Sequence, residues 1–160
     1  MAVSVSSRRK IYCIILTILI IIICCIVINM WMSTNYLVVR NYTVNVSRSL
    51  GKTIRTVVIS DLHDHQFGSN NTKLVEKIAG LEPDIIFMDG DMLNSDSDNS
   101  SVPSSLVQQL RDIAPVYYSL GNHENAYISN GHPNFINQLE ESGAVVLDET
   151  YVDIEVEGFP

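Results

Sequence analysis

An α/β fold built on a parallel sheet is predicted by three observations. Three apolar, β-prone runs recur along the chain: Thr56 to Ser60, Asp84 to Met88 and Val116 to Leu120. Between them the apolar residues keep helical spacing, with Leu74, Ile78 and Leu81, then Leu106, Leu110 and Ile113, each set falling at i, i+4 and i+7 on one helix face. The repeat from run to run is roughly thirty residues, the length of a β-α-β unit, whose right-handed crossover makes neighbouring strands parallel.

In chain order, residues 1–10 form a short N-terminus, 11–31 a transmembrane helix, 32–50 a juxtamembrane linker and strand, and 51–160 the α/β domain. The stretch Ile11 to Trp31 is almost wholly Ile, Leu, Val and Cys and carries no charge. About 20 helical residues at ~1.5 Å each cross a ~30 Å hydrocarbon core. Arg8, Arg9 and Lys10 precede it directly, so the positive-inside rule keeps the N-terminus cytoplasmic and sends the domain to the far side of the cell membrane. Trp31 suits an interfacial anchor. A twin-arginine export signal at Ser7-Arg8-Arg9 ranks second, because the apolar run is long and no small-x-small cleavage site follows it.

Beyond the span, Tyr42, Val44 and Val46 alternate with Thr43 and Asn45 within Asn35 to Ser47, a pattern that adds an edge strand. Ser95 to Ser105, rich in Ser, Asp and Asn around Pro103, reads as a solvated loop. Phe135, Ile136 and Leu139 mark a further helix, begun near His132-Pro133 and followed by a short strand at Ala144 to Leu147. Tyr151 to Glu157 alternates Val152, Ile154 and Val156 with acidic residues, a half-buried strand pattern.

Each of the three principal strands ends in a polar cluster: Asp61-Leu62-His63, Gly90-Asp91-Met92-Leu93-Asn94 and Gly121-Asn122-His123-Glu124. Ligands of open α/β sheets gather outside the carboxyl ends of the strands. Asp, His and Asn side chains there supply the mixed oxygen and nitrogen donors that Mn, Fe or Zn accept. An Asp-x-His pair or a Gly-Asp turn arises by chance in many proteins. Their common order, spacing and placement is what sets these three apart.

In that order the clusters resemble the calcineurin-like metallophosphoesterases, whose pattern runs D-x-H, G-D-x-x-[DN], G-N-H-[DE], a later His and then G-H-x-H. The resemblance covers about residues 51 to 160. Ser60-Asp61-Leu62-His63 and Phe67-Gly68 behind an anchor resemble a membrane-bound bacterial branch related to lipid-sugar pyrophosphatases. It implies a β-sandwich of two sheets with flanking helices, of which this chain carries the N-terminal part. It further implies two divalent metal ions, one held by Asp61 and His63, both bridged by Asp91, and the second bound by Asn122. His123 is then the acid that is not a ligand, and the reaction is attack of a metal-activated hydroxide on phosphorus. Glu124 and Asp89 are candidates for orienting ligand imidazoles, or else plain turn carboxylates.

Only His65 and His132 lie outside the matched clusters, and no G-H-x-H occurs. His65 reads as a solvated loop histidine. Without the later histidines, each metal keeps few protein ligands, so weak metal binding and little turnover are expected of the 160-residue chain. With one sheet only, its apolar face is expected to be poorly covered, favouring association. The alternative to a metal-dependent phosphoester hydrolase is a non-catalytic, membrane-anchored binding protein or a decayed one.

Seven Lys and Arg against all 18 acidic residues leave the part beyond the span at net −11. That balance disfavours nucleic acid as a partner. It would also repel a phosphorylated substrate unless bound metals reverse the local field; the expected partner, a phosphorylated small molecule or lipid-linked phosphate at the membrane, follows from the family resemblance and the anchor. Cys13, Cys24 and Cys25 all lie in the span, so the domain has no disulfide scaffold.

Overall fold

A computed structural model describes residues 5–45 and 53–154. The chain divides into two units after Asn41. The first contains one helix, α1 (Val5–Asn35), which includes the expected span and extends it at both ends. Its stretch Arg8–Asn35 is long and apolar enough to cross a membrane, and none of it is buried. Three polar side chains in it turn back onto the helix's own carbonyls: Thr17 onto Cys13 (2.9 Å), Thr34 onto Met30 (3.0 Å) and Asn35 onto Trp31 (2.9 Å). Such back-bonding satisfies hydroxyl and amide groups where lipid offers no partner.

The second unit runs β1 (Thr56–Ile59), α2 (Thr72–Ala79), β2 (Ile85–Asp89), α3 (Ser101–Leu110), β3 (Val116–Ser119), α4 (Asn122–Ser129), α5 (Phe135–Ser142) and β4 (Ala144–Leu147). Its four strands form one parallel sheet in the order β1-β2-β3-β4. The predicted β-α-β-α-β succession is present. Register places Ile59, Met88, Tyr118 and Val146 in one row and Ile86, Val116 and Ala144 in another on the same face. All seven are buried, as are Leu74 and Ile78 of α2, Leu106, Val107 and Leu110 of α3, and Phe135 and Leu139 of α5. Burying a large aliphatic side chain of this kind contributes roughly 1.5–3 kcal/mol, so this face holds most of the unit's stability.

Several boundaries depart from the sequence pattern for identifiable reasons. Leu81 and Ile113 fall beyond their helices, in the closing turns where the Leu81 N–H donates to the Ile78 carbonyl (2.9 Å) and that of Ile113 to Leu110 (2.9 Å). Residues 101–105 are helical rather than loop: Pro103 lies in the first turn of α3, where its missing N–H has no intrahelical partner to lose. α4 has no counterpart among the elements expected from the sequence, where its residues read only as the polar cluster that ends the third strand. The alternating stretch at Tyr42 forms no strand through residue 45, and Tyr42 and Val44 are exposed; Val46 and Ser47 lie outside the described residues. Residues 151–154 likewise form no strand, while Glu155, Val156 and Glu157 lie outside the described residues.

The second face of the sheet carries Val58, Phe87, Tyr117 and Val145 in one register row. Val58 is 62% and Val145 42% exposed, and the Phe87 and Tyr117 rings stand 5.6 Å apart between them. Among the described residues no second sheet covers this row. An apolar stripe of that kind drives association. Residues 33 to 160, prepared without the apolar helix, are expected to self-associate in sedimentation velocity; a monodisperse, cooperatively melting preparation overturns the expectation.

Candidate metal centre

All three sequence clusters emerge at the carboxyl edge of the sheet, and the backbone ties them together. The Asp61 N–H donates to the Gly90 carbonyl (3.2 Å), His63 N–H to Asp91 (3.0 Å) and Asp64 N–H to Met92 (3.0 Å), so the loop after β1 zips onto the loop after β2. The His123 N–H donates to Asp91 Oδ1 (3.0 Å), joining the loop after β3. Asp61, His63, Asp64 and Asp91 all adopt left-handed backbone, with φ of 57°, 47°, 61° and 56°. Each such residue costs of order 1 kcal/mol or more, a strain that persists only where surrounding bonds over-determine it and that clusters at functional sites.

Gly90 and Gly121 permit the close approach of the second and third loops. Gly90 has φ of 69°, and a Cβ on it would lie 2.7 Å from both the Cα and the N of Gly121. Neither backbone nor neighbour leaves room for a side chain.

Within this cradle Asp61, His63 and Asp91 each present a donor atom within 4.8 Å of the other two. His63 Nε2 lies 3.9 Å from Asp61 Oδ1. Among the described residues no Lys or Arg pairs with Asp61 or Asp91, so two carboxylates converge without a neutralising cation from the protein. Two carboxylate oxygens and one imidazole at that spacing suit a divalent cation such as Mn, Fe or Zn. His123 stands beside them, its ring edge-on to His63 with centroids 4.6 Å apart. Its Nδ1 accepts the Ser95 N–H (3.2 Å), an arrangement that assigns the ring proton of the neutral form to Nε2. Asn122 opens α4 with an exposed side chain next to His123.

Glu124 has a part that sequence reasoning missed. It is fully buried, and it accepts the N–H of Asp91 (2.8 Å), Met92 (2.8 Å) and Gly121 (2.9 Å) and the Tyr118 hydroxyl (2.9 Å). It orients the backbone that carries Asp91, not an imidazole. Asp89 accepts the Ser119 hydroxyl (2.6 Å) and bonds no imidazole, as a turn carboxylate does. Asp64 was also missed: its Oδ2 accepts from Asn94 N–H (2.9 Å), Asn94 Nδ2 (3.0 Å) and Ser97 Oγ. The available signal was an extra acid inside a D-x-H-D-H run. His65 is not a solvated loop residue: its Nε2 is buried, and its ring packs edge-on against Phe67 at 4.6 Å. His132 stacks flat on Tyr127 (3.8 Å between centroids), and its carbonyl accepts the N–H of Phe135, the first residue of α5 (3.2 Å).

The sequence model of the calcineurin-like phosphoesterases matches residues 54–156, and the chain belongs to that family. Its members characteristically bind divalent metals, in keeping with the Asp61, His63 and Asp91 group. No curated protein matches the chain.

Two outcomes follow from this geometry. Gly90→Ala is expected to lower stability by roughly 1–3 kcal/mol, since it adds a strained φ to a contact with no free space; denaturant melts measure it. Burial, and after it the Glu124 carboxylate, hold the Tyr118 hydroxyl well above the usual tyrosine range. The folded chain therefore keeps a proton that the unfolded chain releases above about pH 10, so this stabilisation is complete below that pH and is lost as pH rises past it. Tyr118→Phe is expected to reduce stability at neutral pH by roughly 1–3 kcal/mol. It should also flatten the alkaline decline, as a pH series of melts will show.

Proposed function

We propose that this chain is a membrane-anchored, metal-dependent phosphoester hydrolase. The observation that carries the reading is the convergence of Asp61, His63 and Asp91 at the carboxyl edge of the sheet, with His123 packed against His63. In this reading Asp61 and His63 hold one divalent cation, Asp91 reaches both, and Asn122 holds the second. Bound there, the cations supply Lewis acidity, lowering the pKa of a water and offsetting charge on the phosphoryl oxygens.

The chain's own residues do the rest. Asp91 is aimed by its two backbone tethers, the N–H on Glu124 and the carbonyl that receives His63 N–H. His123, with Nδ1 occupied by the Ser95 N–H, offers Nε2–H to a leaving oxygen and stabilises the charge that builds there. The N-terminal helix anchors the enzyme with its N-terminus cytoplasmic and the domain beyond the membrane, the arrangement that Arg8, Arg9 and Lys10 favour. A lipid-linked phosphate or a phosphorylated small molecule at the membrane face is the substrate class that fits an anchored site.

Calorimetric titration with Mn or Zn tests the centre. Stoichiometric uptake that Asp91→Ala abolishes supports the reading; absence of uptake favours the non-catalytic alternative. His123→Ala is expected to lower hydrolysis of a phosphodiester probe by ~10²- to 10⁴-fold while leaving metal bound. Loss of metal in that variant would show His123 to be a ligand instead of the acid.

A further inference from the structure

Asp64 lies outside the metal-binding group, yet it is the most heavily bonded side chain of the loop after β1. One oxygen, Oδ2, accepts from both nitrogens of Asn94 and from the Ser97 hydroxyl. Asn94 and Ser97 are the ends of a tight turn: the Ser97 N–H donates to the Asn94 carbonyl (3.1 Å), and the Asn94 N–H also reaches Ser97 Oγ (3.1 Å). Ser95 sits inside that turn. Its N–H donates to His123 Nδ1 (3.2 Å), while its carbonyl accepts from Asn130 Nδ2 (3.0 Å) just beyond α4. The Ser95 backbone is thus held from two sides, by Asp64 through the turn and by Asn130 directly.

We propose that Asp64 is a positioning residue that sets the tautomer of His123. By clamping the Asn94–Ser97 turn it presents the Ser95 N–H to Nδ1, which leaves the ring proton on Nε2. A neutral imidazole free of such a bond exchanges its proton between the two nitrogens, whereas a fixed donor at one of them selects a single tautomer. The three hydrogen bonds to Asp64 end on a carboxylate, and bonds to a charged acceptor are about twice as strong as neutral ones. A clamp of that strength holds a loop of Ser, Asp and Asn that its own composition would leave solvated. The purpose of the placed proton, delivery to a leaving oxygen, rests on the phosphoesterase reading above; the clamp itself does not.

Long-range ¹H–¹⁵N correlation spectra of the metal-free, full-length chain in detergent micelles, at a pH where imidazoles are neutral, read the tautomer directly. His123 is expected to show one protonated and one unprotonated nitrogen, well separated in shift. In Asp64→Ala the two shifts are expected to converge as both tautomers become populated. Asp64→Asn keeps an acceptor oxygen in weaker, neutral bonds and is expected to restore the separation in part, which loss of packing alone would not reproduce. If Asp64→Ala does not fold, Ser97→Ala takes its place, because it removes one donor to Asp64 and one acceptor of the Asn94 N–H, leaves both Asn94 bonds to Asp64, and is expected to cause a smaller convergence of the same kind. A single tautomer in Asp64→Ala, or in Ser97→Ala in its place, overturns the proposal, as does equal mixing in the Ala and Asn variants. Metal uptake is measured separately, so its absence ends the phosphoesterase reading and leaves the tautomer result standing.

Discussion

The buried carboxylate of Glu124 is the constraint on which the rest of the site depends. A charged group taken out of water is tolerated only when its lone pairs are filled, and here four donors fill them: three backbone N–H groups and the Tyr118 hydroxyl. Those donors belong to separate parts of the chain, namely β3, the turn into α4 and the loop after β2. Joining them closes the cradle. Glu124 also lies in the first turn of α4, where the exposed amides of a helix N-terminus favour negative charge. One side chain therefore starts a helix, secures a core tyrosine and orients the peptide on which Asp91 sits.

Around that hub the chain accepts strain and repulsion together. Asp61, His63, Asp64 and Asp91 hold left-handed backbone, and the carboxylates of Asp61 and Asp91 converge without a protein cation among the described residues. A divalent ion bound between the two carboxylates would offset their charge and so add to the stability of the loops that carry them. Metal binding and stability of these loops are coupled for that reason. The network on Asp64 joins the first loop to the third motif through neutral turn residues, and its Asn94 Nδ2 also donates to the His63 carbonyl (3.1 Å).

Apolar surface is distributed unevenly. One face of the sheet is closed by α2, α3 and α5 around Ile86, Met88 and Tyr118, while the other leaves Val58 and Val145 to solvent. The N-terminal helix exposes Ile and Leu side chains on all sides, as a lipid-facing helix does. The exposed side chains of the helix belong to a segment long and apolar enough to cross a membrane; those of the sheet leave a face that needs a cover.

What the sequence by itself determined was whatever local pattern can encode. The strands after Thr56, Ile85 and Val116, the helices marked by Leu74 and Ile78 or Leu106 and Leu110, and the apolar span are periodicities of two, of 3.6 or of none. The clusters at the strand ends carried the family and its metal donors, because a β-α-β repeat brings successive strand ends to one edge. Tertiary structure alone decided what those residues bond. Glu124 looks like a turn acid in sequence and becomes the buried hub because Tyr118 and the Asp91 amide arrive beside it from elsewhere. Asp64 and Ser95 gain their roles across about thirty residues of chain. Pro103, which reads as loop, lies in the first turn of a helix, where no proline N–H is needed, and Gly121, which reads only as part of a polar cluster, caps another. No period records a partner that only folding supplies.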